Sequence, residues 1–173
     1  MEPEVPVLIM AFIRPDLLRK SLGQLSKFAP SVLYVVGDGP RNKNEEDLCS
    51  KSRKIALNPG WDCEVIPLFS NENQGLVPSF LLGMNRMFED HEYGIFLEDD
   101  ILLSSSFYAF AKELPVKYRN NPRIGHINAS NFVPEFRHRE KDKSSYFFSN
   151  HPHIWGFATW KRMWDSYDVN MAE

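Results

Sequence analysis

The sequence predicts an α/β fold with a mostly parallel central sheet flanked by helices. Short apolar runs without polar alternation are typical of strands that helices cover on both faces. Each run is followed by a turn or by apolar residues at helical spacing, which is the order that a parallel sheet requires. The runs expected to form strands are Val5–Phe12, Ser31–Val36, Cys63–Phe69 and Tyr93–Leu97.

The first strand leads directly into a helix. The apolar run at 5–12 ends at Arg14-Pro15-Asp16, and a proline suits the first turn of a helix. The leucines at 18, 22 and 25 then recur at helical spacing. These residues predict the first strand–helix unit.

The second and third units follow the same order. Ser31–Val36 ends in the turn sequence Gly-Asp-Gly-Pro at 37–40, and the polar stretch Asn44–Asn58 is interpreted as a surface helix. Cys63–Phe69 gives the third strand, and Asn71–Gly75 gives the loop after it.

Amphipathic helices precede and follow the fourth strand. Ser105 or Ser106 is expected to cap the later helix. The apolar stripe of the earlier helix contains Val77, Phe80, Leu81, Met84 and Phe88, and that of the later helix contains Phe107, Phe110, Ala111 and Leu114.

Beyond Arg119 the alternation of strands and helices weakens. Ile124–Asn128 is a further candidate strand, and the charge run Arg137–Lys143 is interpreted as a solvated loop. The aromatic segment His151–Asp168 follows neither period. No repeat or second domain boundary is found, so residues 1–173 are predicted to form a single domain.

Composition excludes several classes of partner. The net charge of −3 provides no basic field for nucleic acid or an anionic membrane. No apolar run approaches the roughly 18 residues that span a bilayer, and no basic segment precedes the first strand. We therefore expect a cytoplasmic chain without a membrane span, although an anchor elsewhere is compatible with this. Cys49 and Cys63 lack zinc-like spacing and predict inert thiols.

Three adjacent carboxylates, Glu98, Asp99 and Asp100, follow the fourth strand. They repel one another unless a cation or polar groups offset the cost. Mg²⁺ or Mn²⁺ commonly joins one or two carboxylates to substrate phosphates. A solvated acidic turn is the alternative reading. The position at the carboxyl end of a buried strand favours a site for Mn²⁺ or Mg²⁺ and a diphosphate.

Five motifs in order resemble the nucleotide-diphospho-sugar transferases of the Rossmann-like glycosyltransferase-A fold, most nearly the N-acetylglucosaminyltransferase I branch and its bacterial relatives. The resemblance covers most of the chain, and five ordered motifs are more specific than any one alone. They are Arg14 after the opening strand, Val-Gly-Asp-Gly at 36–39, Asn-Gln-Gly at 73–75, Phe-Leu-Glu-Asp-Asp at 96–100, and Trp-Gly-Phe-Ala-Thr-Trp at 155–160.

The resemblance implies a nucleotide site at the carboxyl ends of the strands, with Asp100 as the metal ligand. It places Glu98 and Asp99 against hydroxyl groups of the nucleotide and sugar. The other implied nucleotide-binding residues are Arg14, Asp38, Gln74 and Gly75. Alternatives stay open for these four. Arg14 could be a surface residue, and Asp38 could be a turn former. Gln74-Gly75 could be a simple helix start instead of one whose N–H groups bind an anionic ligand.

The aromatic segment resembles the loop of this family that shapes the donor-sugar and acceptor pocket. Trp155 offers a flat face for a sugar ring, with Gly156 beside it and His153 as a polar contact. Trp160 and Trp164 are interpreted as core aromatics. Asp165 and Asp168 are the late carboxylates nearest to where inverting relatives carry the catalytic base.

The resulting hypothesis is a metal-dependent glycosyltransferase, or its donor-binding fragment, that moves a sugar to a saccharide or other hydroxyl acceptor with inversion. A UDP-sugar is the favoured donor. The donor part is expected at about 1–120 and the start of the acceptor part at about 121–173. Truncation after 173, loss of the base and weak activity are expected. The alternatives are a non-catalytic sugar-nucleotide or protein-binding module, and a sugar nucleotidyltransferase, whose Gly-rich first loop this sequence lacks.

Overall fold

The computed structural model of this chain describes residues 5–132 and 145–170. Six strands form one sheet in the spatial order β3-β2-β1-β4-β6-β5. The strands are β1 (Val7–Ala11), β2 (Val32–Gly37), β3 (Glu64–Phe69), β4 (Tyr93–Glu98), β5 (His126–Asn128) and β6 (Phe157–Trp160). The helices are α1 (Pro15–Leu25), α2 (Glu46–Ala56), α3 (Leu76–Asp90), α4 (Ser105–Lys117) and α5 (Lys161–Trp164), with a 3₁₀ turn (Lys43–Glu45) before α2.

The sheet is parallel in its first four strands. β1 pairs in parallel with β2 and β4, and β2 pairs in parallel with β3. β6 is antiparallel to both β4 and β5. The predicted α/β fold with a mostly parallel sheet is confirmed, as are the four main strands and the candidate strand that became β5.

Helices cover both faces of the sheet because the side chains of its strands alternate. On β1, Val7, Ile9 and Ala11 pack against α1, α2 and α4, whereas Leu8 packs toward α3 on the other face. β2 divides in the same way, with Leu33 on the first face and its neighbours on the second. Both faces are apolar, which explains why these strands lack polar alternation.

Three details of the helices differ from the sequence prediction. Ser104, not Ser105 or Ser106, caps α4, since its Oγ accepts a hydrogen bond from the N–H of Phe107 at 3.2 Å. The polar segment predicted as a surface helix buries one stripe, formed by Cys49, Ser52 and Ala56. Val77, expected in the buried stripe of α3, is 50% exposed.

The inner face of α3 contains small residues that the apolar pattern did not identify. Ser79 and Gly83 are buried beside Met84, Met87 and Phe88. They let the helix axis approach the sheet closely.

The aromatic segment His151–Asp168 contains the strand β6, which its hydrophobic periodicity did not indicate. All four residues of β6 are buried, so the segment shows no alternation. Trp160 is 2% exposed and donates its indole N–H to the carbonyl of Pro115 at 3.0 Å. Trp164 packs on Phe80 and Phe88. The interpretation as a core aromatic is confirmed for Trp160, whereas Trp164 is half-buried against the edge of the core.

The charge run Arg137–Lys143, predicted to be a solvated loop, lies outside the described residues. Within 5–132 and 145–170, no helix combines the length and hydropathy needed to cross a bilayer.

Substitution of two separate glycines tests the close approach of α3 to the sheet. A Cβ at residue 83 would lie 2.5 Å from Val36 Cγ2 and 2.9 Å from Leu8 Cδ1. We expect Gly83→Ala to lower the free energy of unfolding in urea by about 1–3 kcal/mol through overpacking, despite the better helix propensity of alanine. The control is Gly23→Ala on α1, where nothing lies within 4 Å, and which should raise stability by about 0.5–1 kcal/mol. Equal effects of the two substitutions would contradict this packing.

Candidate functional site

The register of the parallel strands brings their carboxyl ends to one edge of the sheet. Ala11 of β1 pairs with Gly37 of β2, and Gly37 pairs with Phe69 of β3. On the other side, Met10 pairs with Glu98 of β4. The loops after these four strands therefore lie side by side, at the edge where open α/β sheets bind ligands.

Arg14 bridges two carboxylates of the acidic triplet at this edge. Its Nη2 donates to Asp99 Oδ1, and its Nη1 donates to Asp100 Oδ2 at 2.9 Å. The side chain of Asp99 is 3% exposed, whereas those of Asp100 and Arg14 are 37% and 46% exposed. One guanidinium thus joins a buried carboxylate to one that solvent reaches.

The carboxylate of Asp99 is desolvated and only partly hydrogen-bonded. Burial raises its pKa, and the hydrogen bond from Arg14 opposes that rise. Its Oδ2 is buried and makes no hydrogen bond within the described part of the chain. Ser21 on α1 fixes the backbone here, because its Oγ donates to the carbonyl of Asp99 at 2.8 Å. Asp99, expected against nucleotide hydroxyls, is thus turned inward and holds Arg14.

Glu98 and Asp100 are less buried than Asp99. Glu98 is half-buried at the last position of β4, and burial, followed by the charge of Asp100, raises its pKa. Asp100 is the most exposed of the three residues.

Asp38 connects the loop after β2 to the loop after β3. Its carboxylate accepts four hydrogen bonds of 2.8–2.9 Å, from the backbone N–H groups of Gly39, Gln74 and Gly75 and from Nδ2 of Asn73. The N–H groups of residues 74 and 75, expected to meet a ligand, are therefore satisfied by Asp38. Gly75 has a φ of +88°, which permits this turn at the start of α3.

Arg53 of α2 holds the same two loops together. The sequence analysis did not identify this residue. Its guanidinium donates to the carbonyls of Asp38, at 3.1 Å, and of Ser70, and it lies over the ring of Phe69. The helical spacing of the small residues Cys49, Ser52 and Ala56, which form the inner face of α2, could have identified it. Arg53 is next to that face.

A pocket of about 230 Å³ lies beside the acidic triplet. Its polar groups come from Asp100, Ser104 and Ser130, and Trp155 forms one side. The remaining lining residues are Ile101, Leu102, Leu103, Phe107 and Ala129. The structure therefore places Trp155, predicted for a sugar pocket, on the same cavity as the predicted metal ligand Asp100.

The turn before β6 presents Trp155 to that pocket. Gly156 has a φ of +72°, and its carbonyl accepts from the N–H of Ala129 at 3.1 Å. The ring of Phe132 contacts the rings of both Trp155 and His153 edge-on. His153 thus contacts Phe132 and is not among the residues that line the pocket.

The two candidate bases follow β6, which runs away from the triplet. Trp160 at the end of β6 pairs with Tyr93 at the start of β4, because these strands are antiparallel. α5 therefore leaves the sheet at the edge opposite Glu98, about 17 Å away along β4. Asp165 forms an ion pair of 3.1 Å with Lys161 on that side, and Asp168 follows it on the exposed surface.

Comparison with known proteins gives distant structural similarity only. No protein-family description and no curated protein matches the sequence. Similar solved structures include the galactosyltransferase LgtC in complex with donor and acceptor sugar analogs, and an active-site mutant of LgtC, with TM-scores of 0.44 and 0.46. Both are 11% identical, and each match covers 96% of this chain and 61% of the other.

These similarities identify no family for this chain. Neither structure is described as belonging to the N-acetylglucosaminyltransferase I branch. That part of the resemblance stays a prediction. This chain spans 61% of the length of the structures it matches.

The buried carboxyl of Asp99 predicts a pH-dependent difference between wild type and Asp99→Asn. Its folded pKa is raised above 3.8, so its contribution to stability is fully present below the unfolded pKa and is lost as pH rises through the folded pKa. Asparagine does not titrate. We expect the free energy of unfolding of the variant to rise relative to wild type as pH increases above the unfolded pKa of about 4 in urea titrations.

Asp90→Asn is the control of opposite sign. Hydrogen bonds from Arg86 and then from Tyr34 lower the pKa of Asp90, so its contribution is present above the unfolded pKa and is lost as pH falls. This variant should lose stability relative to wild type as pH rises. The same trend in both variants would contradict the environment described for Asp99.

Proposed function

We propose that this chain is the donor-binding part of a glycosyltransferase. It binds a nucleotide-diphosphate sugar, with a UDP-sugar favoured, and a divalent metal, and the sugar passes to a hydroxyl group of a saccharide or similar acceptor with inversion. The observation that carries the proposal is the joint position of Asp100 and Trp155 on one pocket, at the carboxyl edge of the parallel strands.

The donor set suits a metal held by one protein carboxylate. Among residues 5–132 and 145–170, no group of three or more His, Cys, Asp or Glu side chains could enclose a metal ion. Mg²⁺ and Mn²⁺ sites that serve phosphates commonly use one or two carboxylates, with phosphate oxygens and water completing the shell. Asp100 is accessible and lines the pocket, so it would be that ligand. A bound metal would neutralise charge on the departing diphosphate.

The other side chains of the edge have supporting roles in this proposal. Arg14 offers a guanidinium to the diphosphate, and Glu98 accepts hydrogen bonds from hydroxyl groups of the donor. Asp38, with Gln74 and Gly75, shapes the wall expected to face the nucleotide. Trp155 gives an apolar face on which a sugar ring can pack. Gly156 permits the turn that presents the indole ring, and His153 supports it through Phe132.

A sugar-nucleotide-binding module without transfer activity is the second candidate. The ion pair of Asp165 with Lys161, on a helix that begins at the opposite edge, favours it, because inverting transfer needs a base near the acceptor hydroxyl. Both candidates predict nucleotide binding. Transfer of sugar to an added acceptor, even at a low rate, would establish the first candidate, since the second cannot produce it.

Thermal unfolding with a panel of nucleotides tests the shared part of the proposal. UDP, GDP, ADP and their sugar conjugates would be compared with and without Mn²⁺. Ligands that bind the native state raise the midpoint by an amount that grows with the ratio of ligand concentration to dissociation constant. We expect one nucleotide series to stabilise the protein, and more strongly with Mn²⁺. No stabilisation by any conjugate at millimolar concentration would reject nucleotide binding.

Asp100→Ala tests the metal ligand. We expect metal-dependent nucleotide affinity, measured by calorimetry, to fall by about tenfold or more, since even outer-shell changes at metal sites cost about 10–100-fold. Folding should be retained, because one of three repelling carboxylates is removed.

Asp16→Ala on the exposed side of α1 is the matched control. It also removes one carboxylate and should leave the nucleotide affinity unchanged. Unchanged affinity in Asp100→Ala would move the metal site elsewhere.

A further inference from the structure

We propose that Arg14 couples metal binding to diphosphate binding by exchanging partners. Its Nη1 holds Asp100 until phosphate oxygens replace that carboxylate, and only then is Asp100 free to bind a metal. This inference rests on the proposed function.

The two contacts of the guanidinium are unequal. The carboxylate of Asp99 is 3% exposed, and a charge-assisted hydrogen bond to a buried carboxylate is strong because water does not compete. The carboxylate of Asp100 is 37% exposed, and ion pairs between exposed groups contribute little. Asp99 therefore anchors Arg14, while the contact with Asp100 is the exchangeable one.

The same contact opposes binding of a metal alone. Oδ2 of Asp100 accepts from Arg14 at 2.9 Å, so a cation that also pairs with Asp99 already offsets part of the charge of Asp100. A divalent cation placed on Asp100 would lie close to a guanidinium that the buried Asp99 holds in place, and like charges at that separation repel. The carboxylate of Asp99 offers no alternative, since it is enclosed and faces Arg14.

A bound diphosphate would remove both obstacles, which are the contact of Arg14 with Asp100 and the repulsion between Arg14 and the metal. Guanidinium groups bind phosphate with two parallel donors, and phosphate oxygens are also preferred ligands of Mg²⁺ and Mn²⁺. The anion can therefore accept from Arg14 and leave Asp100 to the metal. Each ligand then favours the other, and the coupling is reciprocal.

The decisive measurement is the affinity for Mn²⁺ alone, obtained from the electron paramagnetic resonance signal of free Mn²⁺. We expect Arg14→Gln to bind Mn²⁺ about two- to fivefold more tightly than wild type, which corresponds to removing one exposed ion pair. The gain in Mn²⁺ affinity that UDP produces in wild type should shrink in the variant, after subtraction of the Mn–UDP complex that forms in solution.

Arg19→Gln is the matched control. Arg19 lies on the same helix and pairs with the exposed Asp16 at 2.9 Å. Its removal changes net charge equally and should leave both affinities unchanged. Equal tightening in Arg14→Gln and Arg19→Gln would attribute the effect to net charge and overturn the proposal.

A second variant guards against misfolding. Arg14→Gln leaves the buried carboxylate of Asp99 without a cation, which can unfold a protein. Combining it with Asp99→Asn removes that charge while Asp100 is kept. The double variant should also bind Mn²⁺ alone more tightly than wild type. Unchanged Mn²⁺ affinity in the folded single or double variant overturns the coupling.

These results are distinguishable from failure of the proposed function. If wild type binds no nucleotide with Mn²⁺ present, nucleotide binding is rejected, yet the comparison with Mn²⁺ alone still decides whether Arg14 blocks Asp100. If wild type binds both ligands and the variants show no tightening, the site stands and the exchange is wrong.

Discussion

The carboxylate of Asp99 is buried where β1 and β4 end, and Arg14 is the cation against it. A buried carboxylate deprived of its cation typically costs several kcal/mol. This pair joins two loops that are 85 residues apart in sequence, and Ser21 holds the backbone of the second loop from α1. The geometry of the acidic triplet therefore depends on an internal cation, the guanidinium of Arg14.

A second polar connection holds the other half of the edge. Asp38 accepts four hydrogen bonds from the loops after β2 and β3, and Arg53 donates to carbonyls of both loops from beneath. Polar groups ordered in this way lose less conformational entropy when a ligand binds. The same satisfaction of donors limits what a ligand can reach, because the backbone N–H groups before α3 already have an acceptor.

The direction of β6 decides which late residues approach the triplet. As an antiparallel neighbour of β4, it starts at the carboxyl end of β4 and finishes at the opposite end. Trp155, which precedes β6, therefore reaches the pocket beside Asp100. Asp165, which follows it, does not. A parallel β6 would have reversed these two placements.

The sequence by itself determined the order of strands and helices and the position of the acidic triplet, because apolar periodicity and turn residues act locally. The resemblance carried by the order of motifs also predicted one site for Asp100 and Trp155. Only the tertiary structure decided that Asp99 faces Arg14, and that β6 ends at the edge opposite the triplet. Those outcomes depend on strand pairing and burial between residues distant in sequence, and no local pattern encodes the direction in which a four-residue buried strand runs.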